Sequence, residues 1–326
     1  MNSGYIALKD IAKLHIVVTL IGYRSQGESI IVRLVESDVT LYCLVVDCYS
    51  LRKRNITVEL LRSYHVSHIN LLCWSHPHLD HSKGLDDLLY GFCDKSTEYL
   101  IPVYFNNGSN DIVTISNKDE KKIVDAIFLQ NAKTQTSVTG VSVKAMNFNQ
   151  ITNFKLSDFS NSIPFTIKAL TPISSRLEQY AHESRRDVGI NELSICLLVE
   201  IGDYKMLFSS DAVDEHIENI NPDYLEGCRF VKIPHHGSKT SLSLLEVLPG
   251  QFDVAGVTGY HLRGDLPMRE EVVERYKNEK KCKVFCTSGY EKKNSPLYGY
   301  IEYDINLFEK DFVNYQINCV NGAEML

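Results

Sequence analysis

The chain lacks any window approaching the ~20 consecutive apolar residues that a membrane-spanning helix requires, so no helical span is expected in its 326 residues. It also lacks a basic flank followed by an apolar run at Met1-Asn2-Ser3-Gly4-Tyr5. No secretory signal is therefore visible, and a cytoplasmic location is expected. An excess of positive charge is missing too: 34 Lys and Arg stand against 41 Asp and Glu, a formal net charge of −7. Dedicated nucleic-acid binders usually carry net positive charge, so tight non-specific binding to DNA by the isolated chain is disfavoured. A locally positive site is still compatible with this balance. Arg185, Arg186, Lys232, Lys239, Arg263 and Arg269 lie near the motifs described below and read as scattered surface charge. Paired cysteine spacings are absent. The nine cysteines form no knuckle, and Cys73, Cys196, Cys228 and Cys286 lie inside apolar runs. They read as buried thiols of a reducing compartment, not as disulfides or zinc thiolates.

With 44% hydrophobic residues and 10% aromatics, the chain can bury a substantial core. Short apolar runs over 15–21, 29–35 and 41–46, separated by turns, read as a β-meander. Helices are expected over 57–64, 118–131 and 172–183, with strands over 69–74, 101–105 and 165–170. The run 193–201 and the run 205–208 form a hairpin across Gly202-Asp203. The last third alternates: helix 213–220, strand 229–233, helix 241–248, strand 252–257, helix 268–278, strand 283–287 and a closing strand 298–303. Antiparallel strands in each half with helices between them imply an α/β architecture of two packed sheets with helices outside. There is no fixed-period repeat and no interdomain linker. One domain over 1–305 is expected, with the polar stretch 132–162 as an edge elaboration and 306–326 as a peripheral tail.

The densest chemistry lies in His76-Pro77-His78-Leu79-Asp80-His81, four candidate metal ligands in six residues between an apolar strand and a helix. Side chains at i and i+2 of an extended segment point the same way, so His76 and His78 can hold one ion together. Asp80 and His81, one turn on, can face a second. Imidazole with carboxylate suits zinc, manganese or iron rather than calcium or magnesium alone. Two later segments repeat the arrangement of a ligand just past a strand: Asp211 after Lys205-Met206-Leu207-Phe208, and His235-His236 after Val231-Lys232-Ile233-Pro234. Alone, Asp211 reads as a helix-capping residue and the His-His pair is only suggestive. With the first cluster they complete a two-metal constellation.

In this order the motifs resemble those of the metallo-β-lactamase superfamily. His76 to His81 match its His-x-His-x-Asp-His signature, Asp211 its bridging Asp and His235 its later metal-binding His. The resemblance implies a four-layer αβ/βα sandwich of two mixed β-sheets with outer helices. Gln26-Gly27-Glu28-Ser29, the strand ending Leu44-Val45-Val46-Asp47, Asn191-Glu192-Leu193-Ser194 and the run from Pro234 to Ser241 resemble the ComEC-like branch, which includes the hydrolase domain of DNA-uptake competence proteins. Three departures stand out. Gly264-Asp265-Leu266-Pro267 occupies the place of a His-Pro pair, the usual Gly before the bridging Asp is Ser210, and His182 is the one mid-chain histidine offered as a further ligand. The resemblance implies two divalent cations, zinc or manganese, with His76 and His78 on one, His81 and His235 on the other, Asp211 bridging, and Asp80 on the second and orienting the nucleophile.

Two such ions can bridge a hydroxide at neutral pH and stabilise both the attacking and the departing oxygen. His236 is a candidate proton donor or, equally, outer support. The backbone N–H groups of Gly237 and Ser238, with the Ser238 hydroxyl and Lys239, form a candidate anion site, unless the segment simply caps a helix. The expected activity is metal-assisted hydrolysis of a phosphodiester, as a phosphodiesterase or nuclease. A thioester, lactone or lactam hydrolase and a non-catalytic binding module are the alternatives. Expected partners are a phosphoester, nucleotide or nucleic acid, no membrane, and a protein partner or a second copy of the chain.

Overall fold

The computed structural model describes residues 2–22, 27–51, 53–76, 78–101, 140–142, 149–172, 190–259, 269–288, 298–307 and 315–326. In chain order its strands are β1 (Asn2–Ala7), β2 (Leu14–Gly22), β3 (Glu28–Glu36), β4 (Val39–Val46), β5 (Ser50–Leu51), β6 (Arg54–Asn55), β7 (Leu71–Cys73), β8 (Glu98–Ile101), β9 (Gly140–Ser142) and β10 (Asn149–Ser157). They continue with β11 (Ser162–Thr171), β12 (Cys196–Ile201), β13 (Tyr204–Phe208), β14 (Cys228–Lys232), β15 (Val254–Val257), β16 (Lys283–Cys286), β17 (Gly299–Asn306), β18 (Tyr315–Asn321) and β19 (Glu324–Met325). The helices are α1 (Ile56–Ser63), α2 (Leu79–Ser82), α3 (Leu85–Phe92), α4 (Asp214–Ile217), α5 (Ser243–Val247) and α6 (Glu270–Lys280).

Two mixed sheets dominate. One runs β18-β17-β2-β3-β4-β7-β8-β9, the other β1-β10-β11-β12-β13-β14-β15-β16-β19. The central strands read as near-continuous apolar runs because both of their faces are covered. Inward residues such as Ile16, Val18, Leu20, Val32 and Leu44 meet Phe165, Leu197, Met206, Phe208 and Phe230 of the other sheet. The outward residues Ile21, Ile31, Cys43 and Val45 meet Ile56, Leu61, Leu85 and Leu88 of α1 and α3. On the far side Leu198, Leu207, Val231 and Ala255 meet Ile217, Leu244, Val272 and Tyr276 of α4, α5 and α6. The order of layers is helix, sheet, sheet, helix. Each fully buried aliphatic side chain in these layers contributes roughly 1.5–3 kcal/mol.

The α1 start illustrates local control. Asn55 caps it, its side chain accepting from the Val58 N–H at 3.1 Å, as a short polar residue before an apolar periodic run should. Two expectations change in the structure. Residues 306–326, read as a tail, supply β18 and β19, which pair with β17 and β16. The alternation Tyr315-Gln316-Ile317-Asn318 packs one side only, with Tyr315 and Ile317 against the inter-sheet core. Such a half-polar edge strand carries little apolar signal. Residues 149–157, read as weak edge structure, form a nine-residue strand between β1 and β11. The helix over 118–131, residues 173–183 of a second, and His182 and Arg263 lie outside the described residues. No helix among the described residues is long and apolar enough to cross a membrane.

Candidate metal centre

The candidate site lies where β7 and β4 of one sheet and β13, β14 and β15 of the other end. Past β7, Ser75 bridges the sheets: its carbonyl accepts from Ile195 N–H at 3.0 Å and its Oγ accepts from the Ser210 hydroxyl at 2.6 Å. Trp74 Nε1 donates to Ser82 Oγ at 2.9 Å and Ser82 in turn donates to His78 O at 2.6 Å, which holds the first turn of α2 against the loop. That turn places Asp80 and His81. Gly27 presses against it with φ +104°, and a Cβ there would fall 1.7 Å from the Asp80 carbonyl oxygen. Only glycine fits, which accounts for the glycine of the Gln-Gly-Glu-Ser segment.

Four non-glycine residues at the site have left-handed backbones: Asp47 (φ 57°), Ser210 (φ 45°), His235 (φ 48°) and His236 (φ 52°). This conformation is costly for L-residues and persists where surrounding contacts over-determine it. Those contacts are visible. The Ser29 hydroxyl donates to Asp47 O at 3.1 Å, and Lys232 Nζ donates to Ser210 O at 2.7 Å. A glycine would take the Ser210 backbone more easily, but the serine hydroxyl adds the link to Ser75.

The ligand-type side chains converge as two groups that share Asp211. His76, His78 and Asp211 form one; Glu28, His81, Asp211 and His236 form the other, with the donor atoms of each group within 4.8 Å of one another. His76 Nε2 lies 3.1 Å from His78 Nδ1 and 3.9 Å from Asp211 Oδ2. His81 Nε2 and His236 Nε2 each lie 3.4 Å from Asp211 Oδ2, and each lies 3.9 Å from Asp80 Oδ2. His76, His81, His236 and Asp211 are buried, whereas His78 and Asp80 are half-buried. His81 Nε2 and Asp211 Oδ1 are buried and hold no hydrogen bond. Orphaned buried polar atoms are costly, and a cation held in the cluster would give His81 Nε2 the partner it lacks. The residues present fit a metal.

Outer contacts orient the rings. His81 Nδ1 is 2.7 Å from Asp47 Oδ2. Asp47 also accepts from the Ser75 hydroxyl at 2.5 Å and the Ser75 N–H at 2.7 Å. Ser75 Oγ lies 3.0 Å from His76 Nδ1. A carboxylate only accepts, so the Ser75 proton goes to Asp47, and Ser75 Oγ accepts from His76 Nδ1–H. Asp47 thereby turns the Nε2 lone pairs of His76 and His81 towards the cluster, the arrangement that metal-ligating histidines use.

The electrostatics match. Burial opposes charge on His81 and His236, yet Asp211, aided by Asp47 and Asp80 at His81 and by Glu28 at His236, raises both, His81 well above the usual imidazole range. Burial pushes the Asp211 carboxyl up, but His236 and His81 overcome it and hold it well below the carboxylate range. Burial and the neighbouring His81 charge hold His76 well below the imidazole range.

Several expectations are corrected by this geometry. His236, not His235, enters the cluster. His235 is half-buried at the rim, with Nε2 3.1 Å from Asn191 Nδ2 and Nδ1 2.8 Å from Thr240 Oγ1. The two adjacent left-handed residues send the rings apart, which strand-end counting does not foresee. The expected anion nest is not formed: Gly237 N–H donates to Pro234 O at 3.0 Å and Ser238 N–H to His235 O at 2.9 Å. The Ser238 side chain accepts from Thr240 N–H at 3.4 Å as a cap, and Lys239 is exposed and ion-paired with Glu271. Lys232, grouped with surface charge, is fully buried, with Nζ 2.8 Å from Glu28 Oε1 and 3.7 Å from Asp211 Oδ1. Arg269 stands at the start of α6, with its N–H donating to Gly237 O at 3.1 Å. Glu28 and Asp47 were visible only as parts of a resemblance. An acid at the end or start of an otherwise apolar strand was the signal that marked them.

No protein-family model matches the chain, and no curated protein matches it. Among solved structures, a mutant of the CmlA β-hydroxylase is 14% identical, over 74% of this chain and 35% of that one, with a TM-score of 0.32. The chain thus spans about a third of the hydroxylase's length. A diphosphatase from the PhnP family is 13% identical, over 74% of this chain and 85% of that one, with a TM-score of 0.36.

Proposed function

We propose that the chain is a metal-dependent hydrolase of the metallo-β-lactamase type that acts on phosphodiesters. The observation that carries this reading is the pair of ligand groups sharing one buried aspartate, Asp211. His76 and His78 would hold one ion with Asp211; His81 and His236 would hold the other, with Asp80 beside both of their Nε2 atoms. Divalent cations in such a donor set lower the pKa of water and stabilise negative charge that develops on the reacting oxygens.

The rest of the site positions and protects. Asp47 orients two of the rings, Lys232 balances the buried carboxylates of Glu28 and Asp211, and His235 at the rim is the imidazole that a substrate meets first. The phosphodiester assignment is supported by the segments that resemble the ComEC-like branch. Glu28, Ser29, Asp47 and Asn191, scattered over the chain, all lie at or beside the cluster.

The test is protein reconstituted separately with zinc and manganese, given bis(p-nitrophenyl) phosphate, single-stranded DNA, cyclic nucleotides and a generic thioester. Turnover of a phosphodiester that disappears in Asp211→Ala is the expected result. Turnover of the thioester alone would move the reading to another bond type, and metal-loaded protein inert towards all four would overturn it.

A further inference from the structure

We infer that Glu28 is a positioning residue that fixes, through the Thr258 hydroxyl, which nitrogen of His236 carries the proton. This inference rests on the reading of the site as a metal centre. Glu28 is fully buried, and both of its oxygens are engaged. Oε1 lies 2.8 Å from Lys232 Nζ, and Oε2 accepts from the Thr258 hydroxyl at 2.6 Å. Thr258, just past β15, is buried as well, and its Oγ1 lies 2.8 Å from His236 Nδ1.

Proton counting decides the direction. A threonine hydroxyl has one proton, and a lysine-paired carboxylate can only accept. The Thr258 proton therefore goes to Glu28, and Thr258 Oγ1 has only lone pairs left for His236. Thr258 therefore favours a hydrogen on His236 Nδ1 against the pull of Asp211 on the other nitrogen, and the neutral ring then turns an unprotonated Nε2 to the cluster, 3.4 Å from Asp211 Oδ2. Asp47 does the same for His76 through the Ser75 hydroxyl. The two halves of the site thus use one device, a buried carboxylate, a hydroxyl and an imidazole. On this reading Glu28 acts through Thr258 and its ion pair with Lys232, not as a ligand, although its donor atom lies within 4.8 Å of those of His81, Asp211 and His236.

The experiment uses the metal-free full chain labelled with 15N-histidine, studied by long-range proton–nitrogen correlation above the histidine titrations. His236 is expected as the Nδ1–H tautomer in the unsubstituted protein and in Thr258→Ser, and as a mixture with the Nε2–H form in Thr258→Val. Calorimetric titration with zinc then reads affinity. Thr258→Val should weaken one equivalent by about 10–100-fold, the usual effect of removing an outer partner of a ligating histidine. Thr258→Ser should restore it, and Glu28→Gln with Thr258→Val should bind no more weakly than the weaker single variant. Full zinc affinity in Thr258→Val with an equivalent of metal lost in Glu28→Gln would make Glu28 a direct ligand and overturn the inference. An unchanged His236 tautomer in Thr258→Val would overturn it too. A chain that binds no metal at all would defeat the proposed function, while the tautomer in the metal-free protein would still decide the role of Glu28 and Thr258.

Discussion

The loop after β7 and the loop after β14 both bring histidines to the same cluster, but by different means. In the first, His76 and His78 are two residues apart on extended backbone and His81 follows on one helical turn, so local geometry alone aims all three inward. In the second, His235 and His236 are neighbours, both left-handed. One is buried beside Asp211 and the other stays at the rim with Asn191 and Thr240. Spacing is enough to aim side chains where the backbone is regular. Where it is irregular, the surrounding protein chooses, and here the choice is made by Lys232, Glu28 and Thr258 beneath the second loop.

The comparison breaks most readily at Lys232. Lys232→Met removes the partner of a buried carboxylate, and breaking a buried pair in this way costs about 3–5 kcal/mol. Chemical denaturation should show a loss of that size; a loss below about 1 kcal/mol, typical of exposed pairs, would mean that the second loop does not depend on it. Next in size is the contrast within the loop. His236→Ala should weaken metal binding by about 100-fold, at or beyond the upper end of outer-partner effects, whereas His235→Ala should leave affinity nearly intact and change turnover only. Equal losses of affinity in the two variants would erase the distinction drawn between them.

A third measurement sharpens the picture without mutation. Asp211 raises His81 and His236 against the effect of burial, so these two rings keep their protons to higher pH than a free imidazole. A cation must displace them. Binding should release protons, and affinity should climb with pH through the imidazole range. Calorimetry in two buffers of different ionisation heat counts the protons, and a count of zero would contradict the shared role of Asp211. The smallest effect is expected at Lys239, whose exposed pair with Glu271 is worth ~0–1 kcal/mol. Lys239→Ala should leave the melting temperature and phosphodiester turnover close to unchanged; a large fall in turnover alone would return Lys239 to the substrate site.

Much of the fold was legible because its central strands are apolar on both faces and its helices keep their periodicity. The runs at 15–21, 29–35 and 41–46 correspond to β2, β3 and β4 within a residue or two. What escaped was edge structure. β1 and β18 are half-polar strands whose pairing is decided by the neighbour they complete, not by their own composition. Within the site, His76, His78, Asp80, His81 and Asp211 could be read from ligand type and position past an apolar strand. Glu28 showed only as part of a resemblance, and Thr258 and Lys232 not at all, since a lone hydroxyl or lysine in a sequence most often belongs to the surface.

Order along the chain determined by itself that a strand would run into a histidine-rich turn and that further ligands would follow two later strands. Short-range spacing and hydrophobic patterning are properties of a few consecutive residues, and no folding is needed to read them. Only the packed structure decided which of two adjacent histidines faces Asp211, which carboxylates are drawn inside, and which nitrogens they leave bare. Those outcomes depend on burial and on where each single proton of a hydroxyl or imidazole can go, and both exist only once distant strand ends have been brought within hydrogen-bonding reach.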